Sequence, residues 1–338
     1  LQTVRDQRAV DAQLVSSGVA IYDPAVESEA SSARTLVVFG FLMGAVIGSA
    51  VALPLARRRR RFSSRIEPES ALGAPLLADV PSFFEERLDT DLPTVDSPDS
   101  AAAESFRFVA AAISLQRDRT LVETGVRSFT SVVVTSTSVA EGKTTVTANT
   151  AFAAALEGSR VLVIDADFVD QELTRMLVGS NTPTAGLSDV VLGSVELAGA
   201  TVSVSMEDAG SIDLLSRGSR DVSAFDLLSS PKARGFFHDL GNHYDLVLID
   251  GPPLPRVAYS TTLVRLADRT LVVVAHGEDT RASEELRRQL DIIETPLLGY
   301  VYNLAPLRPE MTLTVGSMGS GRGRGRAAEK AEAEPVGN

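Results

Sequence analysis

The chain has 338 residues, enough for one large domain or two with tails, and 44% of them are hydrophobic. It contains no cysteine, which excludes disulfides, thiolate catalysis and sulfur-ligated metal sites. Its formal net charge of −12 argues against general nucleic-acid binding, so we expect no nucleic-acid partner, although local basic clusters exist.

Residues 1–33 are polar and mixed, and they end in small side chains. Leu1 is not an initiator methionine, and no signal peptide is recognisable. We therefore expect the chain to begin inside a longer protein. The segment that follows leads us to interpret residues 1–34 as an extracytoplasmic, juxtamembrane stretch.

Residues 35–56 carry no charged side chain. As a helix with a rise of about 1.5 Å per residue they would extend roughly 33 Å, enough to cross the hydrocarbon core of a bilayer. The alternative is a buried core helix, but such a helix ordinarily keeps one polar face. Gly40, Gly44 and Gly48 recur every four residues, a stripe that allows close helix packing, although glycine is also common in membrane helices.

The apolar stretch is followed by an unbroken run of arginines, Arg57 to Arg61, whereas only Arg34 precedes it. The positive-inside rule therefore predicts a single visible span in the cell membrane, with the C-terminal side in the cytoplasm. Attraction to anionic lipid headgroups is an additional role for this run. A nucleic-acid or nuclear-targeting patch is the alternative.

Residues 57–100 are first basic and then acidic, and they are rich in Pro, Ser, Asp and Glu. We interpret them as a cytoplasmic linker. Within this linker, residues 71–81 (ALGAPLLADVP) have enough apolar character to form a turn or strand docked on the next domain.

Residues 101–116 are predicted to form a helix, with Phe106, Ala110 and Ile113 along one face. At the other end of the chain, residues 309–338 are rich in Gly and Arg, and then in Ala and Glu, without apolar periodicity. This composition predicts a disordered tail.

Between these segments, apolar runs alternate with helical ones from Phe129 to Pro306. Continuous apolar strands separated by helices predict an α/β domain, at residues 101–308, with a mainly parallel sheet covered by helices on both faces. Ligands of such sheets bind at the carboxyl ends of the strands. The predicted strands are TSVVVTS, RVLVIDAD, SIDLLS, YDLVLID, RTLVVVAH and LLGYVYN, and the helical stretches include residues 144–157, 224–240 and 280–293.

Residues 130–145, TSVVVTSTSVAEGKTT, have the order strand, turn, Gly-Lys-Thr and helix that a phosphate-binding loop requires. Backbone N–H groups and the dipole of a helix N-terminus attract phosphate. Lys143 adds a cation for the β- and γ-phosphates, and the hydroxyl of Thr144 can ligate magnesium. The pattern G-x-x-x-x-G-K-[ST] would place its first glycine at position 137, which is threonine here. The residues expected to cradle a nucleotide are Thr137, Ser138, Val139, Ala140, Glu141, Gly142, Lys143, Thr144 and Thr145.

Acidic residues end two of the predicted strands: Asp165 and Asp167 follow VLVI, and Asp250 follows LVLI. A nucleotide with magnesium needs such carboxylates, one to orient the metal and another to accept a proton from the attacking group. Any one of them is equally well explained as a helix cap or turn residue. Three of them behind a Gly-Lys-Thr helix predict a site for ATP and Mg²⁺, with Thr144, Asp165 and Asp250 at the metal.

The combined motifs resemble those of the bacterial tyrosine kinases, which belong to the ParA/MinD-type branch of P-loop NTPases. These kinases are often fused to a chain-length-determinant (polysaccharide co-polymerase) membrane domain. The resemblance implies a membrane-anchored, ATP-dependent protein-tyrosine kinase that regulates the biosynthesis, chain length or export of a capsule or exopolysaccharide. The motifs are TSTSVAEGKTT, VLVIDADF, AGLSDVVLGSV, IDLLSRG and LLSSPKARGFFHDLGNHYDLVLIDGPPL, and the likeness covers about residues 101–306.

Carried over by position, the resemblance makes residues 142–145 the Walker A loop and Asp250 the Walker B acid. Asp165 and Asp167 become the additional Walker A′ motif. The catalytic residues implied in this way are Lys143, Asp165 and Asp167.

The resemblance also implies contacts outside the phosphate site. Asn303 stands where relatives often contact adenine. Glu104 and Arg107 lie on a helix that relatives use for ring assembly, so a homo-oligomeric ring is implied. The implied partners are the polysaccharide polymerase and export machinery, at the membrane.

The sequence departs from the family pattern at informative positions. Val139 and Ala140 replace a Pro-Gly pair, which changes the preferred backbone angles of the loop. Val169 and Asp170 stand where relatives carry basic residues, so a cation is missing from that stretch. The C-terminal tyrosine cluster of the family is absent. Reduced or altered catalysis is therefore expected.

Two other function classes stay open. One is a nucleotide-gated scaffold of the polysaccharide machinery that performs little phosphotransfer. The other is a ParA/MinD-like positioning ATPase, against which Ser138 counts because it replaces the signature lysine of that group. A Ser/His/Asp hydrolase is disfavoured, since no G-x-S-x-G elbow is present.

Overall fold

The computed structural model describes residues 31–57, 61–124, 129–206, 210–218 and 222–307. The chain divides into two compact units, Leu1–Arg59 and Arg60–Asn338. Most of the predicted extracytoplasmic stretch and all of the predicted disordered tail lie outside the described residues.

The described part of the first unit is one helix, α1 (Ser31–Arg57). Its segment Arg34–Ala52 is long and apolar enough to cross a membrane, and none of it is buried against protein. The structure therefore does not favour the alternative of a buried core helix. The glycine stripe is open as well, since no atom lies within 4 Å of the position where a side chain would begin at Gly40, Gly44 or Gly48.

The second unit is organised around an eight-stranded sheet with the order β1-β8-β7-β2-β6-β3-β5-β4. All neighbouring strands are parallel except β4 and β5, which are antiparallel. The sheet confirms the predicted α/β fold class. The strands are β1 (Leu76–Pro81), β2 (Thr130–Ser136), β3 (Val161–Asp165), β4 (Thr201–Met206), β5 (Gly210–Leu215), β6 (Leu246–Asp250), β7 (Arg269–Ala275) and β8 (Leu297–Ala305).

The helices of this unit connect the strands and cover the sheet. Two long helices, α5 and α6, pack against each other and against the strands next to them. The helices are α2 (Glu67–Leu72), α3 (Phe83–Glu86), α4 (Pro93–Asp96), α5 (Ala101–Thr124), α6 (Lys143–Leu156), α7 (Glu172–Val178), α8 (Leu187–Leu192), α9 (Leu197–Ala200), α10 (Ala224–Ser229), α11 (Pro231–Asp239), α12 (Ala258–Leu266) and α13 (Thr280–Ile293), with a 3₁₀ turn at Leu240–Asn242.

The core has two layers, one on each face of the sheet. Because side chains alternate along a strand, Val133 belongs to one layer and its neighbours Val132 and Val134 to the other. The second layer also holds Phe106 and Phe152 from α5 and α6. Helices therefore cover both faces, as the uninterrupted apolar strands predicted.

The structure corrects the predicted linker at residues 57–100, because its described part, from Arg61 onward, belongs to the second compact unit. Phe62 and Leu72 are buried in the core, and β1 forms an edge strand parallel to β8. Residues 71–81 were expected to supply such a strand. The polar composition of the whole segment concealed the few apolar side chains that anchor it.

Two helix boundaries also differ from expectation. The predicted helix at residues 224–240 is broken in two, since Ser230 is extended and caps α11, whose first residue is Pro231. Proline disfavours a helical conformation of the residue before it, which explains the break. The helix predicted at residues 101–116 continues to Thr124.

Candidate functional site

The phosphate-binding loop lies between β2 and α6, as predicted. The β-branched run of β2 is fully buried in the centre of the sheet, and the chain then turns through residues 137–142 into α6. Gly142 is the N-cap of α6 and has a φ of 88°, which glycine adopts at little cost. The first N–H groups of α6 therefore lie directly after this turn and have no partner within the helix.

Lys143 and Thr144 are both buried at the start of α6. The Thr144 hydroxyl donates a hydrogen bond of 2.8 Å to Oδ2 of Asp250. The structure therefore brings the predicted Walker A hydroxyl and the predicted Walker B carboxylate into direct contact, although 106 residues separate them in the chain.

Asp165 and Asp250 lie side by side at the carboxyl ends of β3 and β6. Oδ2 of Asp165 accepts hydrogen bonds from the backbone N–H and the hydroxyl of Thr174, at 2.9 and 2.6 Å. Burial raises the pKa of Asp165, and burial together with the charge of Asp165 raises the pKa of Asp250 to about 8. Two carboxyl groups held this close in the core favour a cation between them.

The remaining oxygen of each of these carboxyl groups is buried and has no hydrogen-bond partner: Oδ1 of Asp165 and Oδ1 of Asp250. Such atoms are rare in folded proteins, and a cation bound to both carboxyl groups would satisfy them. Within the described ranges, no group of three His, Cys, Asp or Glu side chains could hold a metal by itself. The pair with Thr144 fits Mg²⁺, which keeps several waters and uses one or two carboxylates together with phosphate oxygens.

Asp167 is arranged differently from Asp165. It is half-buried, and its Oδ1 accepts hydrogen bonds from the backbone N–H groups of Val169 and Asp170, at 3.0 and 3.4 Å. Tyr259 packs edge-on against Phe168, and its hydroxyl accepts a hydrogen bond of 3.1 Å from the Phe168 N–H. Asp167 therefore shapes the turn after β3 while remaining near Asp165.

Sequence reasoning missed one arginine beside this turn. Nη1 of Arg217 donates to the carbonyl of Phe168. The side-chain oxygen of Gln171, with the amide oriented toward the guanidinium, accepts a hydrogen bond of 2.9 Å from Nη2 of Arg217. The segment after Asp167, which carries no basic residue of its own, thus has a guanidinium next to it, brought there by the end of β5.

A second missed feature lies behind the loop. The Glu141 carboxylate accepts hydrogen bonds from the N–H and hydroxyl of Thr137, at 3.1 and 2.6 Å. Nδ2 of Asn303 donates to the Glu141 carbonyl at 2.8 Å. Glu278 accepts from the hydroxyl of Ser138 at 3.2 Å. Both acids reach residues of the phosphate-binding loop.

Comparison with known proteins agrees with this geometry. Residues 132–295 match the family AAA_31, described as an AAA domain. Tyrosine-protein kinase YwqD of Bacillus subtilis is 28% identical over 218 residues, which cover 64% of this chain and 87% of that protein. The solved BceF tyrosine kinase domain is 26% identical, with a TM-score of 0.61, and the match covers 73% of this chain and all of that domain.

The chain is a homologue of the bacterial tyrosine-protein kinases. A longer relative is the succinoglycan biosynthesis transport protein ExoP of Rhizobium meliloti, which is 26% identical over 308 residues. That match covers 82% of this chain and 38% of ExoP.

The kinase homologue brings most of its predicted site residues together at one edge of the sheet. Lys143, Thr144, Asp165 and Asp250 form one buried group. Asn303, predicted to contact adenine, is buried against the carbonyl of Glu141. Their roles toward a nucleotide stay predictions.

Glu104 and Arg107, predicted to serve in ring assembly, form an ion pair of 2.8 Å with each other on α5. Arg107 also donates to the carbonyl of Pro98 at 2.6 Å. Within the kinase homologue, these two residues thus stabilise the first turns of their own helix. The ring stays a prediction.

Proposed function

We propose that this kinase homologue binds ATP with Mg²⁺ at residues 137–145 and transfers the γ-phosphate to a tyrosine of a partner protein. The observation that carries this proposal is the contact of Thr144 with Asp250, beside the unpaired carboxylate oxygens of Asp165 and Asp250. A hydroxyl and two acids gathered at a helix N-terminus suit a nucleotide with a divalent cation.

The residues of the site would have different roles toward the nucleotide. The N–H groups at the start of α6 and the ammonium group of Lys143 would hold the phosphates. Thr144 and Asp250 would hold Mg²⁺ together with Asp165, and the ion when bound supplies positive charge against the phosphate oxygens. Asp165 or Asp167 would accept the proton of the attacking hydroxyl.

The setting of this activity belongs to the same proposal. Helix α1 would anchor the protein in the cell membrane, with the nucleotide site in the cytoplasm. The name of the relative ExoP supports a role in the biosynthesis or export of a surface polysaccharide. A homo-oligomer assembled through the region of Glu104 and Arg107, and contact with the polymerase and export machinery, complete the proposal.

The position of the tyrosines favours an acceptor on another chain. Four of the five tyrosines, Tyr244, Tyr259, Tyr300 and Tyr302, are buried in the core. The fifth, Tyr22, lies in the predicted extracytoplasmic stretch, and residues 309–338 contain no tyrosine. The same observation favours the second candidate, a nucleotide-gated scaffold in which ATP binding changes the assembly without phosphotransfer.

The test uses the full chain in detergent with Mg²⁺ and ATP. Equilibrium binding is measured by calorimetry, and phosphotyrosine is sought by mass spectrometry on the protein and on co-expressed partners. Lys143→Ala should weaken ATP binding and abolish phosphotyrosine, because it removes the cation at the phosphates. Lys232→Ala is the matched control, since this exposed lysine bonds only to the carbonyl of Leu192 among the contacts described.

Each result separates the candidates. ATP binding and phosphotyrosine that both depend on Lys143 support the kinase. ATP binding without any Lys143-dependent phosphotyrosine would overturn the kinase proposal and support the scaffold. If no ATP binds, the proposed site is wrong.

A further inference from the structure

Behind the phosphate-binding loop lies a group of four side chains, which we call the acidic brace: Thr137, Glu141, Glu278 and Asn303. Its central member, Glu141, is only 2% exposed, although carboxylates are almost never buried without partners. Both oxygens of Glu141 are engaged by Thr137, the first residue of the loop. Glu141 therefore joins the end of the loop to its first residue.

The brace also ties the loop to two other elements. Asn303, near the end of β8, donates to the carbonyl of Glu141. Glu278, between β7 and α13, accepts from the hydroxyls of Ser138 and Thr137, at 3.2 and 3.4 Å. The loop is therefore held from the rigid end of the sheet as well as from within.

The Thr137 hydroxyl lies between two carboxyl groups, those of Glu141 and Glu278. A hydroxyl has one proton, so it cannot donate fully to both acids at once. A proton on Glu141 removes this conflict, because Thr137 then accepts from Glu141 and donates to Glu278. The Thr137 hydroxyl and both oxygens of Glu141 are then paired.

The loop needs such support because of its own sequence. It has no glycine at position 137, and Ala140 has a φ of 59°, in the left-handed region. An L-residue in that region costs about 1–2 kcal/mol, and strained backbone persists only where surrounding contacts over-determine it. The brace provides these contacts directly before Gly142 and Lys143.

We propose that Glu141 is a positioning residue, whose carboxyl group holds Thr137 and thereby keeps the loop in the shape that receives nucleotide phosphates. Asn303 holds the same residue through its backbone carbonyl, and Glu278 contacts it through the Thr137 hydroxyl. This inference rests on the proposed nucleotide binding at the same loop. It assigns to Glu141 a function separate from those of Lys143 and the metal-binding acids, since it acts on the loop from behind.

Glu141, as part of the acidic brace, makes the affinity for the nucleotide sensitive to pH. Burial, together with the charge of Glu278, raises the pKa of Glu141 to about 7. Below that pH the protonated Glu141 is paired with Thr137 through both of its oxygens and adds no negative charge next to the phosphates. Above it, Glu141 ionises beside Glu278, so affinity for ATP should fall as pH rises through 7. Glu278 is the charged group that faces Glu141. The other polar neighbours, from the loop and from β8, are uncharged: Thr137, Ser138 and Asn303.

The experiment measures ATP affinity by calorimetry for the full chain in detergent with Mg²⁺, at pH 6 and pH 8. Glu141→Gln imitates the protonated acid, because its amide can donate to Thr137 and accept from the Thr137 N–H. Its affinity should match the unmodified protein at pH 6 and exceed it at pH 8, by about threefold to tenfold for the interaction of one bridge. Glu141→Ala removes the bridge and should weaken binding by a similar factor at pH 6.

The exposed Glu157, at the end of α6, supplies the matched control. Glu157→Gln should follow the unmodified protein at both pH values, which accounts for the titration of ATP itself. Melting curves by circular dichroism confirm that each variant is folded. Glu141→Gln is the decisive variant, because it preserves shape and volume.

Two results would overturn the assignment of Glu141. One is a Glu141→Gln variant with the same change of affinity between pH 6 and pH 8 as the unmodified protein. The other is a Glu141→Gln variant that is as weak as Glu141→Ala at pH 6. Absence of ATP binding by the unmodified protein is a different outcome, which removes the proposed function and this inference with it.

Discussion

Ala140 has a backbone conformation that favours glycine, with a φ of 59°. Ala140→Gly would relieve about 1–2 kcal/mol of strain in the folded state, but it would also give the unfolded chain more freedom, worth about 0.4–1 kcal/mol. We therefore expect the variant to be more stable by up to about 1 kcal/mol. Urea denaturation of residues 61–338 measures the change.

The matched control is the same substitution in an exposed helix. Ala111 lies on the exposed side of α5, where glycine should cost about 1 kcal/mol. The two substitutions should thus have opposite signs. A loss of stability at Ala140 equal to that at Ala111 would show that the loop does not hold Ala140 under strain.

The part of the site that follows from the sequence consists of residues at strand ends and at a helix start. Asp165 and Asp250 could be predicted as neighbours because parallel strands bring their carboxyl ends to one edge. Arg217 and Glu278 could not, since their partners Phe168 and Thr137 lie 49 and 141 residues away. No periodic pattern or motif indicates such contacts, because they depend on the conformations of loops that are distant in sequence.

At the scale of single elements, the segment before β1 attaches to the loop that carries Glu278. Phe62 is 2% exposed, and its backbone pairs with Glu278 and Gly277 at 2.9 and 3.0 Å. The prediction of a linker at residues 57–100 was wrong here because composition is averaged over a window. A single buried phenylalanine and one short edge strand are enough to fix a polar segment on a domain.

Phe62 can be tested against another phenylalanine of the same segment. Phe62→Ala should lower the free energy of unfolding of residues 61–338 by about 3 kcal/mol, because it leaves a cavity in the core. Phe84 is 89% exposed, so Phe84→Ala should change it by less than about 0.5 kcal/mol. Equal effects in urea denaturation would contradict the burial of Phe62.

The elements themselves were predictable to different degrees. The six predicted strands are all present, since buried parallel strands are continuous apolar runs that stand out in a sequence. The edge strand β4 was not foreseen, because TVSVSM alternates apolar and hydroxyl side chains and faces the core on one side only. The break before Pro231 was missed because the amphipathic pattern continues across it.

For the molecule as a whole, the apolar helix and the proposed nucleotide site belong to different units. The apolar helix α1 has its side chains exposed from Arg34 to Ala52, and so much apolar surface in water would be strongly unfavourable. The second unit has its own core on both faces of a sheet. Membrane attachment and folding should therefore be independent properties.

This independence gives the last prediction. The full chain should sediment with membranes after cell lysis, resist extraction by alkaline carbonate and dissolve in detergent, because transfer of α1 out of lipid is unfavourable. Residues 61–338 should remain in the supernatant and bind ATP with the affinity of the full chain, since the loop, the strand-end acids and the acidic brace all lie beyond Arg61. A full chain found in the carbonate supernatant would show that α1 does not span the membrane. A fragment that is soluble and folded, but has lost ATP affinity, would show instead that the nucleotide site depends on the first unit.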